Sequence, residues 1–234
     1  GLAGMALGGL LIAPLSDKTG RRPLIIFSVA LMSVCMIASG YATSLVELAV
    51  LRLGVGAGIG AALAGIATLA AEYAPPKHHD FAVAMLQGGY PIAATITGFI
   101  VAPLIHTWSW NILLIGAGLF SASALLPLIF FLPESMAFLA QRQPRNALQR
   151  IRTIERRLHL PETDTLPEPV PLDRTNAGVG GLFREGRLVR TLLLWTSIVC
   201  GFMTLYFIIS WIPKLAVEAG LDISDSIYAG ALYN

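Results

Sequence analysis

Four charged side chains crowd into P-L-S-D-K-T-G-R-R-P, residues 14–23, between two apolar runs, residues 1–15 and 23–41, that carry no formal charge. A carboxylate at Asp17 beside Lys18, Arg21 and Arg22 can make and break charge-assisted hydrogen bonds, which are stronger than neutral ones. The same hairpin also serves as a solvated turn that fixes orientation. Glu72 and Glu134 each close an apolar run on the same side as this hairpin and are the carboxylates able to join Arg21 or Arg22. Arg52 is a different kind of group. It lies inside the apolar run of residues 48–71, where a guanidinium costs about 2.5–3.5 kcal/mol on insertion scales and so faces a partner or a wet cavity. Gln87 and Tyr90 flank the G-G-Y-P stretch at 88–91 and can line a cavity. Phe202 and Tyr206 are four apart, share one helical face and can stack on an aromatic ring; the same stripe also suits packing or a lipid-facing belt.

Elements able to hold such groups are membrane helices. Of the 234 residues, 55% are hydrophobic and 13% charged, with a mean hydropathy of +0.70, against roughly 25% charged in soluble domains. Spans of about 20 residues are predicted near 1–15, 23–41, 48–71, 81–105, 112–132 and 192–212, with another beginning near 226. Small residues crowd the first run, Gly4 and Gly8 among them, which predicts close helix packing there. Proline and glycine at 88–91 predict a kink in the fourth run. Residues 213–226 read as an external loop.

Between the two sets of spans, residues 136–188 form a polar central segment. Residues 144–160 read as an amphipathic helix, with Ala147, Leu148, Ile151, Ile154 and Leu158 on one face and Arg145, Arg150, Arg152, Arg156 and Arg157 opposite. Such a basic face lies along an anionic membrane surface or against span ends, and it needs no nucleic acid to account for it. The Pro-rich, acidic stretch that follows reads as a flexible linker. Placing the hairpin in the cytoplasm puts its three cations, Lys77 and the ten arginines from Arg142 to Arg190 on that side, fourteen of the sixteen basic residues. That follows the positive-inside rule.

Other chemistries have little support. His78 and His79 have no carboxylate or cysteine at ligand spacing, and Cys35 and Cys200 sit in apolar runs as small core thiols. The glycines at 54, 56, 58 and 60 follow no strand and precede no Lys-Ser/Thr, so they make no phosphate loop. With no nucleophile-base or metal constellation, an enzyme is not expected, and no cofactor is. Gly1 sits inside an apolar run with no basic segment before it, which argues against a signal peptide and predicts a piece of a longer chain.

P-L-S-D-K-T-G-R-R resembles the loop motif between the second and third helices of the major facilitator superfamily, and R-L-G-V-G-A-G-I-G its fourth-helix motif with Arg52. A-E-Y-A-P, the G-G-Y-P stretch, L-P-E-S-M-A-F-L and L-Y-F-I-I-S-W-I-P-K-L are similar to the pattern of its aromatic acid:proton symporter group and, more loosely, of sugar porters. The resemblance implies an all-α, polytopic fold truncated to family helices two to seven and the start of eight. In that frame residues 1–135 belong to the N-terminal half without its first helix, 136–188 are the cytoplasmic central loop, and 189–234 open the C-terminal half. It also implies a secondary active transporter in the plasma membrane, bacterial inner membrane included, that works as a monomer. Its partners would be protons as coupling ion, a small organic acid such as an aromatic carboxylate, and the lipid bilayer.

Under the resemblance Asp17, Lys18, Gly20, Arg21 and Arg22 form a gating latch, with Asp17 the acceptor and the arginines bridging to Glu72 and Glu134. Arg52 holds a substrate carboxylate or tunes a proton-carrying acid, with Gln87, Tyr90, Phe202 and Tyr206 near the pathway. Two departures stand out: Ala13 where the loop motif has glycine, and no paired aspartates of the kind the group carries in its first helix. A sugar or other metabolite carrier and an efflux exchanger are the alternatives within transport. A channel or a membrane sensor is the alternative outside it.

Overall fold

The structure is a computed structural model that describes residues 1–158, 161, 163–166, 188–220 and 222–233. Among these every regular element is helical. The expected Pro-rich linker, apart from a few residues at 161–166, lies outside the described residues. In lipid, backbone N–H and C=O groups must be satisfied within the segment, and a helix does that locally. Among the described residues, five stretches are long and apolar enough to cross a membrane: Arg21–Ser39, Leu45–Tyr73, His79–Leu104, Trp110–Phe131 and Leu188–Glu218.

The chain forms two compact units, residues 1–89 with 107–169, and residues 90–106 with 170–234. In the first, α1 (Leu2–Leu7) opens into a wide π turn at Gly8–Ile12 and a 3-10 turn at Ala13–Leu15. Pro14 supplies the reason, because it has no N–H for the Leu10 carbonyl and its ring would meet that oxygen. The first run is therefore a broken helical segment. A short helix, α2 (Ser16–Thr19), follows, then α3 (Arg21–Ser39) and α4 (Leu45–Tyr73). The start of α4 is capped by Ser44, whose hydroxyl accepts the Glu47 N–H at 3.2 Å. The helix α5 (His79–Leu104) runs unbroken through Pro91, and the two units divide within it, between Gly89 and Tyr90.

Trp110–Ser123 (α6) and Leu125–Phe131 (α7) together make one span with a break at Ala124. Pro127 explains the break: in a continuous helix its ring would strike the Ser123 carbonyl, four residues back. Two helices complete this unit, α8 (Met136–Arg142), capped by the Ser135 hydroxyl, and α9 (Ala147–Leu158).

The core joins α3, α4 and α7 through buried Ile25, Val29 and Leu69, with Leu128, Leu132 and Tyr73 packed against them. A second cluster of Leu139, Ile151 and Ile154 seats α9 on α8, and Tyr73 belongs to it as well. In water, burying a side chain of this size contributes about 1.5–3 kcal/mol. The amphipathic segment thus lies against span ends, with Ala147, Ile151 and Ile154 buried and Leu158 exposed. Arg152 departs from the expected solvated face: it donates to the carbonyls of Thr163 at 3.0 Å and Asp164 at 3.1 Å. Beside it, buried Glu155 accepts the Thr163 N–H at 2.9 Å.

The second unit contains the remainder of α5, α10 (Leu188–Glu218) and α11 (Ile223–Tyr233). The loop expected from residue 213 is corrected here, since α10 continues through Pro213 to Glu218 and stops near Gly220, which has a φ of +90°. Membrane helices accommodate an interior proline where neighbouring groups satisfy the freed carbonyl. The Thr95 hydroxyl donates to the Ala231 carbonyl at 2.9 Å, and Phe99 meets Tyr228 at 5.3 Å between ring centres. His106 Nε2 and Asp222 Oδ2 lie 3.4 Å apart.

Candidate functional site: a charged cluster at the helix ends of the first unit

Helix α3 begins at Arg21, and its first N–H groups have no acceptor inside the helix. Glu134 supplies one. Its Oε1 accepts the Arg21 N–H at 2.8 Å and the Arg22 N–H at 3.1 Å, together with the Ser135 N–H at 2.9 Å. A carboxylate at a helix N-terminus meets both the unpaired donors and the positive end of the helix dipole. Gly20 makes the approach feasible. Its φ of +100° is strained for a residue with a side chain, and a Cβ there would come within 2.5 Å of Glu134 Oε2.

Glu72, at the end of α4, spans the gap beside this cap. Its Oε1 pairs with Arg21 Nη1, and its Oε2 accepts the Ser135 hydroxyl at 2.7 Å. Ser135 in turn receives the Phe138 N–H at 3.0 Å as the cap of α8. Tyr73 donates its hydroxyl to the Glu134 carbonyl at 2.6 Å. The start of α3, the end of α4, the segment after α7 and the start of α8 are thereby tied at one point. A carboxylate shared this way holds two helix ends together without a buried unpaired charge.

Two parts of the expected network differ. Arg22 pairs with neither carboxylate: its Nη2 donates to the Ile129 backbone carbonyl, because α3 directs its backbone, and not that guanidinium, at Glu134. The Asp17 carboxylate is exposed and has no hydrogen bond or ion pair among the described residues, while its backbone carbonyl accepts from Arg142 Nε at 3.1 Å. Within this cluster the start of α3 is met by the carboxylate of Glu134. Lys18 is exposed as well.

Helix α4 carries the packing that positions Glu72. Gly4 and Gly8 abut the Leu53 and Ala57 carbonyls of α4, and Gly56 and Gly60 abut the Gly1 and Met5 carbonyls, so closely that a Cβ on any of the four would run into that backbone. On the other side of α4, a Cβ at Gly58 would stand 2.6 Å from the Ser28 carbonyl of α3. The run G-V-G-A-G-I-G is therefore two interleaved four-residue pairs, Gly56 and Gly60 against backbone on one face, and on the other Gly58 against backbone and Gly54 against the Cys35 side chain. A four-residue spacing counted along residues 54–60 would have revealed this. Ser135, Tyr73 and Arg142 were likewise missed, and only the position of Ser135, just before an apolar helical run, offered a sequence signal.

The remaining predicted residues are not gathered at this cluster. Arg52 is half-buried, about 10 Å along α4 from Leu45 at 1.5 Å per residue, with no hydrogen bond or ion pair among the described residues. Gln87 is exposed in the first unit, and Tyr90 is exposed in the second. Phe202 and Tyr206 stack along α10 with ring centres 6.1 Å apart and planes at 23°. A cavity of about 920 Å³ lies beside the charged cluster, lined in part by Arg22, Glu134, Arg150 and Arg157.

Helices of this length and apolarity, tied end to end by a polar cluster, define a multi-pass, all-helical membrane protein. The sequence profile of the Major Facilitator Superfamily matches residues 1–234, and the chain belongs to that family. It is similar to the 4-hydroxybenzoate transporter PcaK of Acinetobacter baylyi, at 31% identity over 99% of this chain and 52% of the relative. The gallate transporter of Pseudomonas putida is 33% identical over 100% of this chain and 52% of its own length. The benzoate transport protein of Acinetobacter baylyi is 28% identical over 97% of this chain and 50% of its length. The chain spans about half the length of these curated relatives.

Proposed function

We propose that this chain is part of a secondary active transporter, in the plasma membrane of a bacterium, that takes up an aromatic carboxylate together with protons by alternating access. The observation that carries the reading is the likeness, over nearly the whole chain, to relatives named for 4-hydroxybenzoate, gallate and benzoate. Those three substrates share a carboxylate on a benzene ring. The chain offers complementary chemistry in the guanidinium of Arg52 within an apolar helix, unpaired among the described residues, and in the stacked rings of Phe202 and Tyr206. Arginine matches a carboxylate by two parallel hydrogen bonds, and an aromatic face accepts a ring. The end bearing Arg21, Glu72 and Glu134 faces the cytoplasm in this reading, and the exposed Asp17 provides the latch that opens and closes with each cycle. Transport, without catalysis or a cofactor, is the whole activity, and the working unit is a monomer.

The test is uptake of labelled 4-hydroxybenzoate by cells expressing the full-length protein, with and without a protonophore. Accumulation that collapses with the proton gradient and disappears in Arg52→Ala at equal surface expression supports the proposal. Uptake unchanged by either treatment refutes proton coupling or the role of Arg52 respectively, and no uptake of any aromatic acid refutes the substrate class.

A further inference from the structure

The cavity beside the charged cluster has a lining that the cluster does not use. Three guanidiniums, those of Arg22, Arg150 and Arg157, border it, against the single carboxylate of Glu134. That carboxylate is already engaged by three backbone N–H groups through Oε1. Arg22 is incompletely satisfied: its Nη2 reaches the Ile129 carbonyl, but its Nε is buried without a hydrogen-bond partner. An unpaired N–H of a cation is an unfavourable state that an anionic oxygen relieves. Asn146 and Gln149 add neutral hydrogen-bonding groups to the same wall.

The other part of the lining is apolar. Phe27 and Phe130 border the cavity while remaining 56% and 71% exposed on the surface of the unit. They lie close to the ends of the spans, six residues into α3 and one before the end of α7, the depth at which headgroups give way to acyl chains. Cations and neutral donors beside aromatic rings, all near the span ends, form an amphipathic site. A volume of about 920 Å³ exceeds what a lone inorganic anion fills and falls within the range of sites for molecules with tens of heavy atoms.

The geometry points to an anionic phospholipid as the occupant, its phosphate held among Arg22, Arg150 and Arg157 and its acyl chains lying over Phe27 and Phe130. Bound there, the lipid joins α9 to the start of α3 and the end of α7, and it neutralises the side of α9 that the packing with α8 leaves outward. Choline headgroups carry a cation that the same three arginines repel, so the site discriminates by headgroup charge.

The experiment is native mass spectrometry of the full-length protein in detergent, titrated with phosphatidylglycerol or phosphatidylcholine, with inorganic phosphate as competitor. Phosphatidylglycerol should bind at least about tenfold more tightly than phosphatidylcholine. At roughly fivefold per surface cation, Arg150→Gln with Arg157→Gln should weaken it about 25-fold. Arg145→Gln, an exposed cation outside the lining, should leave it unchanged, and Arg150→Lys with Arg157→Lys should retain most of it. If the glutamine pair fails to fold, the lysine pair and the ratio of the two lipids decide the matter. Equal binding of the two lipids, a glutamine pair within twofold of the parent, or displacement by inorganic phosphate at concentrations equal to the lipid's would overturn the proposal, the last by making the occupant a soluble anion.

Discussion

Replacing Glu134 isolates the contact on which the charged cluster turns. In the parent, Oε1 receives the N–H groups of Arg21, Arg22 and Ser135 at 2.8, 3.1 and 2.9 Å. Glu134→Ala leaves the first two donors at the start of α3 without an acceptor. Loss of a helix cap costs about 1 kcal/mol, and removal of a half-buried charge from a helix N-terminus costs about another 1–2 kcal/mol. The opening of the first turn of α3 should therefore become easier by about 2–3 kcal/mol, which is a roughly 30- to 150-fold faster amide exchange there. Glu134→Gln keeps an acceptor oxygen and loses only the charge, so its effect should stay at about 1–2 kcal/mol, roughly 5- to 30-fold. Hydrogen exchange followed by mass spectrometry on the full-length protein reads this directly in peptides covering residues 16–30. The opposite end of α3, where the Asn111 amide donates to the Gly40 carbonyl at 2.7 Å, is the internal control. Exchange within twofold of the parent in Glu134→Ala would refute the cap. Equal acceleration in the alanine and glutamine variants would show that charge, and not hydrogen bonding, holds the turn.

Further consequences are separable from that one. Gly20→Ala must place a Cβ 2.5 Å from Glu134 Oε2 at a φ of +100°, so it should lower the apparent melting temperature in detergent, and an unchanged midpoint would contradict the tight turn. Gly56→Leu should abolish the monodisperse peak in fluorescence-detected size exclusion, because α1 and α4 could no longer touch, whereas Gly88→Ala, with nothing within 4 Å, should not. Asp17→Asn should slow uptake of labelled 4-hydroxybenzoate severalfold at saturating substrate, and a change confined to apparent affinity would remove the latch role of Asp17. Glu72→Gln should weaken the pair with Arg21 and lower thermal stability by about 1–2 kcal/mol while leaving the exchange of the first turn of α3 nearly unchanged.

The membrane helices were legible because the bilayer imposes a simple rule on sequence: long apolar runs that satisfy their own backbone. Residue identities at the charged end were legible for the same reason, since charges between such runs have few places to go. What sequence did not reveal was which atom of Arg21 or Arg22 meets which carboxylate. The contact from Arg21 to Glu134 joins residues 113 apart, and it uses a backbone N–H that carries no side-chain signature. Pairing by opposite charge therefore grouped Arg21 and Arg22 with Glu72 and Glu134 without assigning partners, and it missed both the helix cap and the Ile129 carbonyl that Arg22 meets. The end of α10 was misread because Pro213 reads as the start of a loop. Pro213 lies inside α10 and Pro91 inside α5, whereas Pro14 and Pro127 do disturb their helices. A proline marks a carbonyl that loses its donor, and the surroundings decide whether the helix breaks there.

The internal pairing of the cluster divides the labour among the loop charges. Arg21 is held by Glu72, the backbone of Arg21 and Arg22 by Glu134, and Arg22 by Ile129, all within one compact unit. Contacts of this kind fix the turn at Gly20 and the direction in which the short helix α2 leaves it. Asp17, on that short helix, is held through its backbone carbonyl by Arg142, and its exposed carboxylate has no partner among the described residues, so that carboxylate is presented outward from a braced support. A reversible ionic contact needs such an arrangement, because a flexible loop would lose in ordering entropy much of what an exposed ion pair returns, about 0–1 kcal/mol. In the transport cycle proposed for this family member, the bracing carboxylates Glu72 and Glu134 would keep their partners throughout, and the Asp17 carboxylate would be the group that exchanges them.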